Sequence, residues 1–167
     1  MADIIQTQDS RRTFIDTLIE LAEKDDKIVL VLCDTGFNYI EEFQKRFPNR
    51  IFNFGVTEQS SAIICAALAL SGFKPYFYSM IPFVLFRPYE MVRNAIVLHK
   101  ANVKILGVQG GPSYKMLGFS HNLQHQEEDI KLCENIGLEW RRPADNEEVR
   151  ETILKSYESD KPLYIRL

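Results

Sequence analysis

The sequence predicts an α/β fold of three layers, with helices on both sides of a mainly parallel central sheet. Apolar runs typical of strands alternate with amphipathic runs typical of helices along all 167 residues. The apolar run 28–33 is continuous, as in a strand that is buried on both faces, and the run 103–111 fits a second buried strand with a Gly-rich exit. Since strands separated by helices usually connect as parallel neighbours, these observations indicate one layered domain over residues 1–167.

The first half of the chain is expected to supply three helices and two strands. The first helix has apolar residues at helical spacing from Phe14 onward, with Ser10 as a candidate N-cap. The run KIVLVLCDTG then fits a strand that ends at a turn, and Pro48 stops the short amphipathic helix that follows. A third helix begins after Thr57, its expected N-cap, and ends at Gly72. The expected bounds are 10–26, 28–33, 40–47, 50–55 and 57–72.

The second half is expected to supply four strands and three helices. Its first helix contains Pro88, which restricts where that helix can begin. The longest irregular stretch runs from Gly110 to about Gln126 and follows a central strand, where open α/β sheets place ligand-binding loops. His121 and His125 lie in this loop, where a functional role and a merely solvated one are equally open. The expected bounds are 74–80, 83–100, 103–111, 127–137, 138–143, 146–159 and 161–167.

The overall composition argues against several classes of function. Lys and Arg total 20 against 23 Asp and Glu, a net charge of −3, which gives no support to a nucleic-acid or anionic-membrane surface. No apolar run approaches the roughly 20 residues of a membrane span, and no signal-peptide core is present. Cys33, Cys65 and Cys133 form no CxxC pair, so we expect reduced core thiols in a cytoplasmic protein.

Glu58 stands immediately before one of the most apolar stretches of the chain. A carboxylate in the first turn of a helix is an ordinary feature, because it interacts favourably with the helix dipole, and the local pattern alone favours this interpretation. The alternative is a carboxyl group beside an apolar wall, where it can share a proton with a ligand nitrogen. Standard motifs (GxGxxG, the P-loop, GxSxG and HExxH) are missing from the sequence.

A series of aromatic residues downstream could supply such a wall. Phe83, Phe86 and Tyr89 recur every three residues, which fits either ordinary core packing or a cleft for a flat ring. Arg87 and the prolines around it are unusual companions in a core helix. The segment also follows a strand directly, as a ligand-binding segment of an α/β sheet does.

Five segments of the chain follow one another in a recognisable order. They are RRTFIDTLIELAEKDDKIVLVLCDTG, NFGVTEQSSAIICAALALSG, PYFYSMIPFVLFRPYEMVRN, RRPADNEEV and PLYIRL. In this order and at this spacing they resemble the pyrimidine-binding domain of transketolases and related thiamine-diphosphate enzymes. The resemblance implies the fold of that domain and the activity of a transketolase, a transferase of carbohydrate metabolism that moves two-carbon ketol groups between sugar phosphates.

The resemblance implies roles at the cofactor for five residues. Glu58 matches the glutamate that hydrogen-bonds N1′ of the aminopyrimidine ring and favours its imino tautomer, which gives it a catalytic role. Phe83, Phe86 and Tyr89 match the pocket around that ring, with Phe86 as the expected stacking partner. Asp34 matches an aspartate near the cofactor.

The resemblance also implies contacts with the substrate. His121 matches a histidine that contacts substrate oxygens, which gives it a catalytic role. If the alignment is anchored on the Glu-Asp pair that follows the loop, His125 takes this position instead. Arg11 and Arg142 match positions that hold a sugar phosphate, a task suited to guanidinium groups, and Asn38 stands where many relatives have a phosphate-contacting serine.

One expected part of the site is missing from this chain. In the family, another domain holds the diphosphate and its divalent metal with a GDG motif, and the sequence has no GDG. The resemblance therefore implies that the chain supplies only the pyrimidine end of a thiamine diphosphate site and no metal ligand. A diphosphate-binding transketolase subunit would hold Mg²⁺ in a homo- or hetero-oligomer. The family's diphosphate-binding and C-terminal domains are expected to be absent.

Three other functions stay open for the same fold. Two use the same cofactor: the β subunit of a 2-oxoacid dehydrogenase and a 1-deoxyxylulose-phosphate synthase-like domain. The third is a non-catalytic assembly module. The RPYE and RPAD segments fit a transketolase better, and the retention of Glu58 with the aromatic series argues against a mere scaffold.

Overall fold

Six parallel strands form the central sheet of the computed structural model, which describes residues 9–109 and 112–167. Their order across the sheet is β2-β1-β3-β4-β6-β5, and each neighbouring pair is parallel. The strands are Ile28–Leu32 (β1), Ile51–Asn53 (β2), Lys74–Met80 (β3), Lys104–Val108 (β4), Trp140–Arg141 (β5) and Leu163–Arg166 (β6). The prediction of a mainly parallel sheet is confirmed.

Helices cover both faces of the sheet and complete the three predicted layers. The α-helices are Ser10–Ala22 (α1), Glu41–Arg46 (α2), Glu58–Leu70 (α3), Tyr89–Met91 (α4), Glu128–Ile136 (α5) and Asn146–Glu158 (α6). One core, which includes Phe14, Phe43 and Ile153, joins α1, α2 and α6 to one face. A second core, which includes Ala62 and Cys133, joins α3 and α5 to the other. Within the described residues, no helix combines the length and apolar character needed to cross a membrane.

The N-cap of the first helix differs from the prediction, whereas that of the third helix is the predicted residue. Asp9, not Ser10, caps α1: its backbone is extended and its side chain accepts a hydrogen bond from the Arg11 N–H over 3.2 Å. Ser10 is already the first helical residue, so it cannot serve as the cap. Thr57 occupies the predicted cap position of α3 but makes no capping hydrogen bond, and its hydroxyl instead donates to the carbonyl of Phe54 over 2.9 Å.

The helix expected over 83–100 is divided into three short pieces. A π-helical turn, Pro82–Phe86, precedes α4, and a second one, Val92–Val97, follows it. Pro88 accounts for the first break, because proline has no backbone N–H to donate to the preceding turn. The Arg87 N–H donates to the carbonyl five residues back, over 2.9 Å. Single π turns are frequent at functional sites, and the first one carries two of the predicted pocket aromatics.

The strand order creates a crevice between β1 and β3. The chain leaves β1 for β2 on one side and then crosses to β3 on the other, so the connections after β1 and β3 diverge. Open α/β sheets bind ligands at the carboxyl ends of their strands at such a point. Asp34 follows β1, Glu58 follows β2 and Phe83 follows β3. Three predicted site residues therefore lie in the connections that leave the carboxyl edge of the sheet.

Candidate functional site

The carboxyl group of Glu58 is buried at the carboxyl edge of the sheet. Glu58 is the first residue of α3 and is 2% exposed. Its Oε1 accepts a hydrogen bond from Nη1 of Arg87 over 2.7 Å, in an ion pair. Its Oε2 is buried and has no hydrogen-bond partner among the described residues. Because an unpaired buried acceptor costs about 1–3 kcal/mol, Glu58 holds one oxygen that a ligand donor can satisfy.

Arg87 connects Glu58 to two further predicted residues. Its guanidinium lies over the ring of Phe83, with Cζ 4.3 Å from the ring centroid, in a cation–π contact. The same ring meets the imidazole of His121 edge-on, with the centroids 4.9 Å apart. The Nδ1 atom of His121 lies 2.9 Å from the hydroxyl of Ser120. The structure thus joins Glu58, Arg87, Phe83 and His121 into one cluster, which we call the Glu58 cluster.

Ser61, one helical turn after Glu58 on α3, joins two small polar side chains from outside the helix. The Cys33 thiol donates to the hydroxyl of Ser61 over 3.2 Å, and that hydroxyl lies 3.4 Å from the hydroxyl of Thr57. Burial raises the pKa of the Cys33 thiol, and the negative charge of Glu58 raises it as well. The thiol is therefore protonated near neutral pH and acts as a hydrogen-bond donor, not as a nucleophile.

Phe86 and Tyr89 make contacts different from those of Phe83. Phe86 is partly buried and packs against the core beneath α3. The hydroxyl of Tyr89 accepts a hydrogen bond from Nδ2 of Asn135 over 2.8 Å, which ties this aromatic residue to α5. Phe83 is the member of the series that touches Arg87 and His121, in the segment before α5 that carries His121 and His125 and that we call the histidine loop. The expected stacking role of Phe86 stays a prediction.

Asp34 and Asn38 lie in the loop after β1 and are exposed. Both adopt left-handed backbone conformations, with φ of 48° and 71°, which Asp and Asn tolerate better than most residues. The Asp34 N–H donates to the side chain of Asn53 over 2.9 Å, and the Asn38 N–H donates to Glu41 over 2.7 Å. Hydrogen bonds therefore define the loop's shape, whereas the ligand contacts of both residues stay predictions.

The two arginines predicted to hold a sugar phosphate already pair with carboxylates. Nε of Arg11 lies 3.1 Å from Asp9, and its guanidinium stacks over Tyr39 with Cζ 4.3 Å from the centroid. Nη1 of Arg142 lies 2.8 Å from Glu127. Arg11 is the second residue of α1, on the face of the sheet opposite α3, and Arg142 follows the edge strand β5. These contacts do not join them to the Glu58 cluster.

A buried ion pair fixes the far end of the long loop after β4. Arg166 of β6 donates to Asp129 over 3.2 Å and to the carbonyl of Gln126 over 2.5 Å. The hydroxyl of Tyr164 donates to the other oxygen of Asp129 over 2.7 Å. The side chains of Arg166 and Asp129 are 4% and 0% exposed. Since Gln126 follows the exposed His125 directly, this pair determines where the histidine loop ends.

The unpaired oxygen of Glu58, whose other oxygen binds the arginine that lies over the ring of Phe83, suits a flat heterocycle that presents a polar ring nitrogen, as an aminopyrimidine does. Comparison with known proteins agrees with this chemistry. The family model of the transketolase pyrimidine-binding domain matches residues 6–167. The chain belongs to this family.

Relatives of this transketolase domain include enzyme subunits and longer single chains. One of the subunits of apulose-4-phosphate transketolase from Phocaeicola vulgatus is 34% identical over 159 residues, which cover 94% of this chain and 50% of that protein. A 1-deoxy-D-xylulose-5-phosphate synthase from Desulfitobacterium hafniense is 32% identical over 160 residues, 93% of this chain and 24% of that protein. The chain thus spans half or less of the length of these relatives.

A solved structure gives the same result for the fold. A split-gene transketolase, solved as an inactive β4 tetramer, matches with a TM-score of 0.82 at 32% identity. The match covers 95% of this transketolase domain and 50% of that chain.

Two arginines of this transketolase domain have partners that the sequence did not reveal. Arg87 stood out among the pocket aromatics, but its partner Glu58 lies 29 positions earlier. Arg166 is the buried last residue of an otherwise uncharged strand, and a cation in a buried strand signals a buried anion. Its partner Asp129 lies 37 positions earlier, so the signal identifies the need for an anion but not the residue.

Proposed function

We propose that this chain supplies the aminopyrimidine half of a thiamine diphosphate site in a transketolase that transfers two-carbon ketol groups between sugar phosphates. The observation that carries the proposal is the buried Oε2 of Glu58, which lacks a partner among the described residues while Oε1 is held by Arg87. The N1′ atom of an aminopyrimidine is a polar atom on an otherwise flat and stackable ring, which matches this arrangement. The family match over residues 6–167 supports the same cofactor.

Thiamine diphosphate, when bound, supplies a carbon acid that adds to carbonyl groups after deprotonation and then acts as an electron sink. In the proposal, Oε2 of Glu58 holds the proton at N1′. The aromatic side chains of the first π turn, Phe83 and Phe86, orient the ring and exclude water from it. His121, in contact with Phe83, reaches the oxygens of the substrate, and Asp34 lies beside the cofactor.

We assign the diphosphate end of the cofactor and its Mg²⁺ to a second chain, a diphosphate-binding transketolase subunit. Large apolar side chains are exposed in the connections that leave the carboxyl edge of the sheet. They are Phe37 after β1 at 62% exposure, Val56 after β2 at 66%, and Met116 and Phe119 after β4 at 87% and 75%. Exposed apolar groups collected at one edge are typical of a surface that another chain covers. One relative that is named as a transketolase subunit, and another that was solved as a β4 tetramer, support an oligomeric assembly.

We assign Arg11, Arg142 and Asn38 to the recognition of sugar phosphates. Guanidinium groups bind phosphate oxygens through two parallel N–H donors. Both arginines now pair with partly exposed carboxylates, and such pairs contribute about 0–1 kcal/mol. A doubly charged phosphate can therefore replace either carboxylate at small cost.

The test mixes this chain with the diphosphate-binding subunit of a split transketolase, thiamine diphosphate and Mg²⁺, and follows ketol transfer from xylulose 5-phosphate. We expect Glu58→Gln to lower the rate by about 100-fold or more, because the variant cannot hold the proton at N1′. Glu42→Gln, at an exposed carboxylate of α2, is the matched control and should leave the rate unchanged. Full activity of Glu58→Gln would show that the proposed role is wrong.

A second reaction of the same cofactor competes with this proposal, because a 1-deoxy-D-xylulose-5-phosphate synthase is 32% identical over 93% of the chain. Supplying pyruvate as the donor separates the possibilities. Transfer from the ketose phosphate without turnover of pyruvate supports the transketolase. Turnover of pyruvate supports the synthase or the 2-oxoacid dehydrogenase, and inactivity with every donor supports the non-catalytic module.

A further inference from the structure

We propose that Arg87 is a positioning residue, which occupies Oε1 of Glu58 so that Oε2 is the oxygen turned toward the pyrimidine nitrogen. The inference rests on the proposed function and adds a residue that neither the family match nor the predicted pocket assigned. Three observations support it: how the ion pair is made, what holds Arg87 in place, and how deeply the Glu58 side chain is buried.

The ion pair uses one oxygen of the carboxylate. A guanidinium commonly binds a carboxylate through two parallel hydrogen bonds, which satisfies both oxygens at once. Here Nη1 of Arg87 donates to Oε1 of Glu58 over 2.7 Å, and Oε2 stays buried without a partner among the described residues. The contact therefore distinguishes two otherwise equivalent oxygens and leaves one of them for a ligand.

Arg87 is itself held by its neighbours. Its guanidinium lies over the ring of Phe83, with Cζ 4.3 Å from the centroid. Its backbone N–H donates to the carbonyl of Pro82 over 2.9 Å, at the end of the first π turn. Its carbonyl accepts a hydrogen bond from the side chain of Gln59 over 3.4 Å. Because this residue is fixed by both its side chain and its backbone, it can fix the rotation of the Glu58 carboxylate in turn.

Burial of Glu58 makes this orientation matter. The Glu58 side chain is 2% exposed, whereas that of Arg87 is 39% exposed. A carboxylate in water can rotate and satisfy either oxygen with solvent, but a buried one cannot. The orientation of the carboxylate is therefore set by the protein before the ligand arrives, which favours binding of a ligand with a single matching nitrogen.

The test compares two ligands that differ at one atom. The first is thiamine diphosphate, and the second is its analogue with carbon in place of N1′. Both are titrated by calorimetry, with Mg²⁺, into the assembly of this chain with a diphosphate-binding subunit. We expect the wild-type assembly to prefer thiamine diphosphate by about 10- to 100-fold, the range of one hydrogen bond to a charged group.

Arg87→Met should reduce the preference for thiamine diphosphate to less than about threefold. Arg87→Lys, which keeps the positive charge, should retain part of the wild-type preference. Arg93→Met is the matched control, because Arg93 is exposed on the same segment and donates to its neighbour Asn94 over 2.8 Å. In a Glu58→Gln background, Arg87→Met should have no further effect on the preference.

Three outcomes would overturn the inference. An unchanged preference in Arg87→Met would show that Glu58 is oriented without it. An equal fall in the Glu58→Gln background would show that Arg87 acts on the ligand directly. A wild-type assembly that does not distinguish the two ligands would refute the proposed role of Glu58 itself, and the positioning role with it.

A measurement on the chain alone distinguishes failure of the positioning role of Arg87 from failure of the proposed cofactor role of Glu58, because it needs no cofactor. Arg87→Met should lower the midpoint of urea unfolding, and the decrease should be smaller in the Glu58→Gln background, where no buried charge is left unpaired. Equal decreases in both backgrounds would show that the ion pair does not couple these residues.

Discussion

Replacement of Arg166 by methionine tests the buried ion pair that ends the histidine loop. Arg166 and Asp129 are 4% and 0% exposed, and the shortest distance between their charged atoms is 3.2 Å. Arg166 also donates to the side chain of Gln109 over 2.8 Å and to the carbonyl of Gln126. Methionine fills much of the same volume but provides no charge and no hydrogen-bond donor, so the Asp129 carboxylate would be left buried with Tyr164 as its remaining partner.

The expected cost follows from this geometry. Two unit charges 3.2 Å apart attract by about 5 kcal/mol at an effective dielectric constant of about 20. Removing one member of a buried pair destabilises proteins by about 3–5 kcal/mol, because the other charge is left uncompensated. The hydrogen bond from Tyr164 to Asp129, at 2.7 Å, remains and offsets part of this loss. We therefore expect Arg166→Met to lower the free energy of unfolding by about 3 kcal/mol.

Urea unfolding followed by circular dichroism measures this change. With a slope of about 2 kcal/mol per molar urea, the unfolding midpoint should fall by about 1.5 M. Arg142→Met, which removes an exposed ion pair with Glu127, is the control and should change the free energy of unfolding by less than about 1 kcal/mol.

A double variant identifies the cause of the loss. Asp129→Asn combined with Arg166→Met removes the buried charge, and the asparagine oxygen still accepts from Tyr164. We expect the double variant to be more stable than Arg166→Met alone. The reasoning is refuted if Arg166→Met costs no more than Arg142→Met, or if the double variant is the less stable of the two.

Three smaller perturbations test other parts of the fold. A Cβ at Gly107 would lie 2.6 Å from the hydroxyl of Tyr164, so Gly107→Ala should cost about 1–3 kcal/mol and lower the thermal midpoint by about 3–10 °C in calorimetry; an unchanged midpoint would contradict this packing. Burial opposes ionisation of Asp25, but its hydrogen bonds, including one from Lys74, lower its pKa overall. The ionised carboxylate therefore stabilises the fold above about pH 4, and this contribution is lost as the pH falls through the lowered pKa. Asp25→Asn should therefore flatten the dependence of the urea midpoint on pH below about pH 4, and an acid dependence equal to wild type would exclude this role. Asp145 caps α6, so Asp145→Ala should cost about 1 kcal/mol in urea unfolding, whereas Asp145→Ser should retain most of the stability; equal losses in both variants would show that the cap contributes nothing.

The strands and their burial could be predicted because their signal is local. Five consecutive residues of β1, Ile28–Leu32, are all buried, as the continuous apolar run indicated. The bounds of β3, Lys74–Met80, agree with the predicted 74–80, since Gly72 and Pro82 limit the strand on either side. Periodicity alone was sufficient for these elements, because a strand buried on both faces differs from a surface helix along its whole length.

Features that depend on one residue's backbone were less predictable. Asp9 and Ser10 both belong to the residue types that cap helices, and the choice depends on which of them keeps an extended backbone. The loss of the Pro88 N–H can be read from the sequence. The first π turn, Pro82–Phe86, depends in addition on how Phe83 and Arg87 pack against other elements. Tertiary contacts therefore decide the shape of the segment that carries the aromatic pocket.

Glu58 shows why a single sequence position can have two valid interpretations. As a helix-start charge it interacts favourably with the N-terminus of α3, which the sequence predicted. A carboxylate with that role alone would stabilise the helix equally well at the surface, where water forms hydrogen bonds with both of its oxygens. The structure instead buries the carboxylate, pairs one oxygen with Arg87 and leaves the other unpaired, an arrangement that costs stability. Departures from the most stable arrangement are expected at functional sites, so burial together with the unpaired oxygen favours a function that the position in the helix alone cannot indicate.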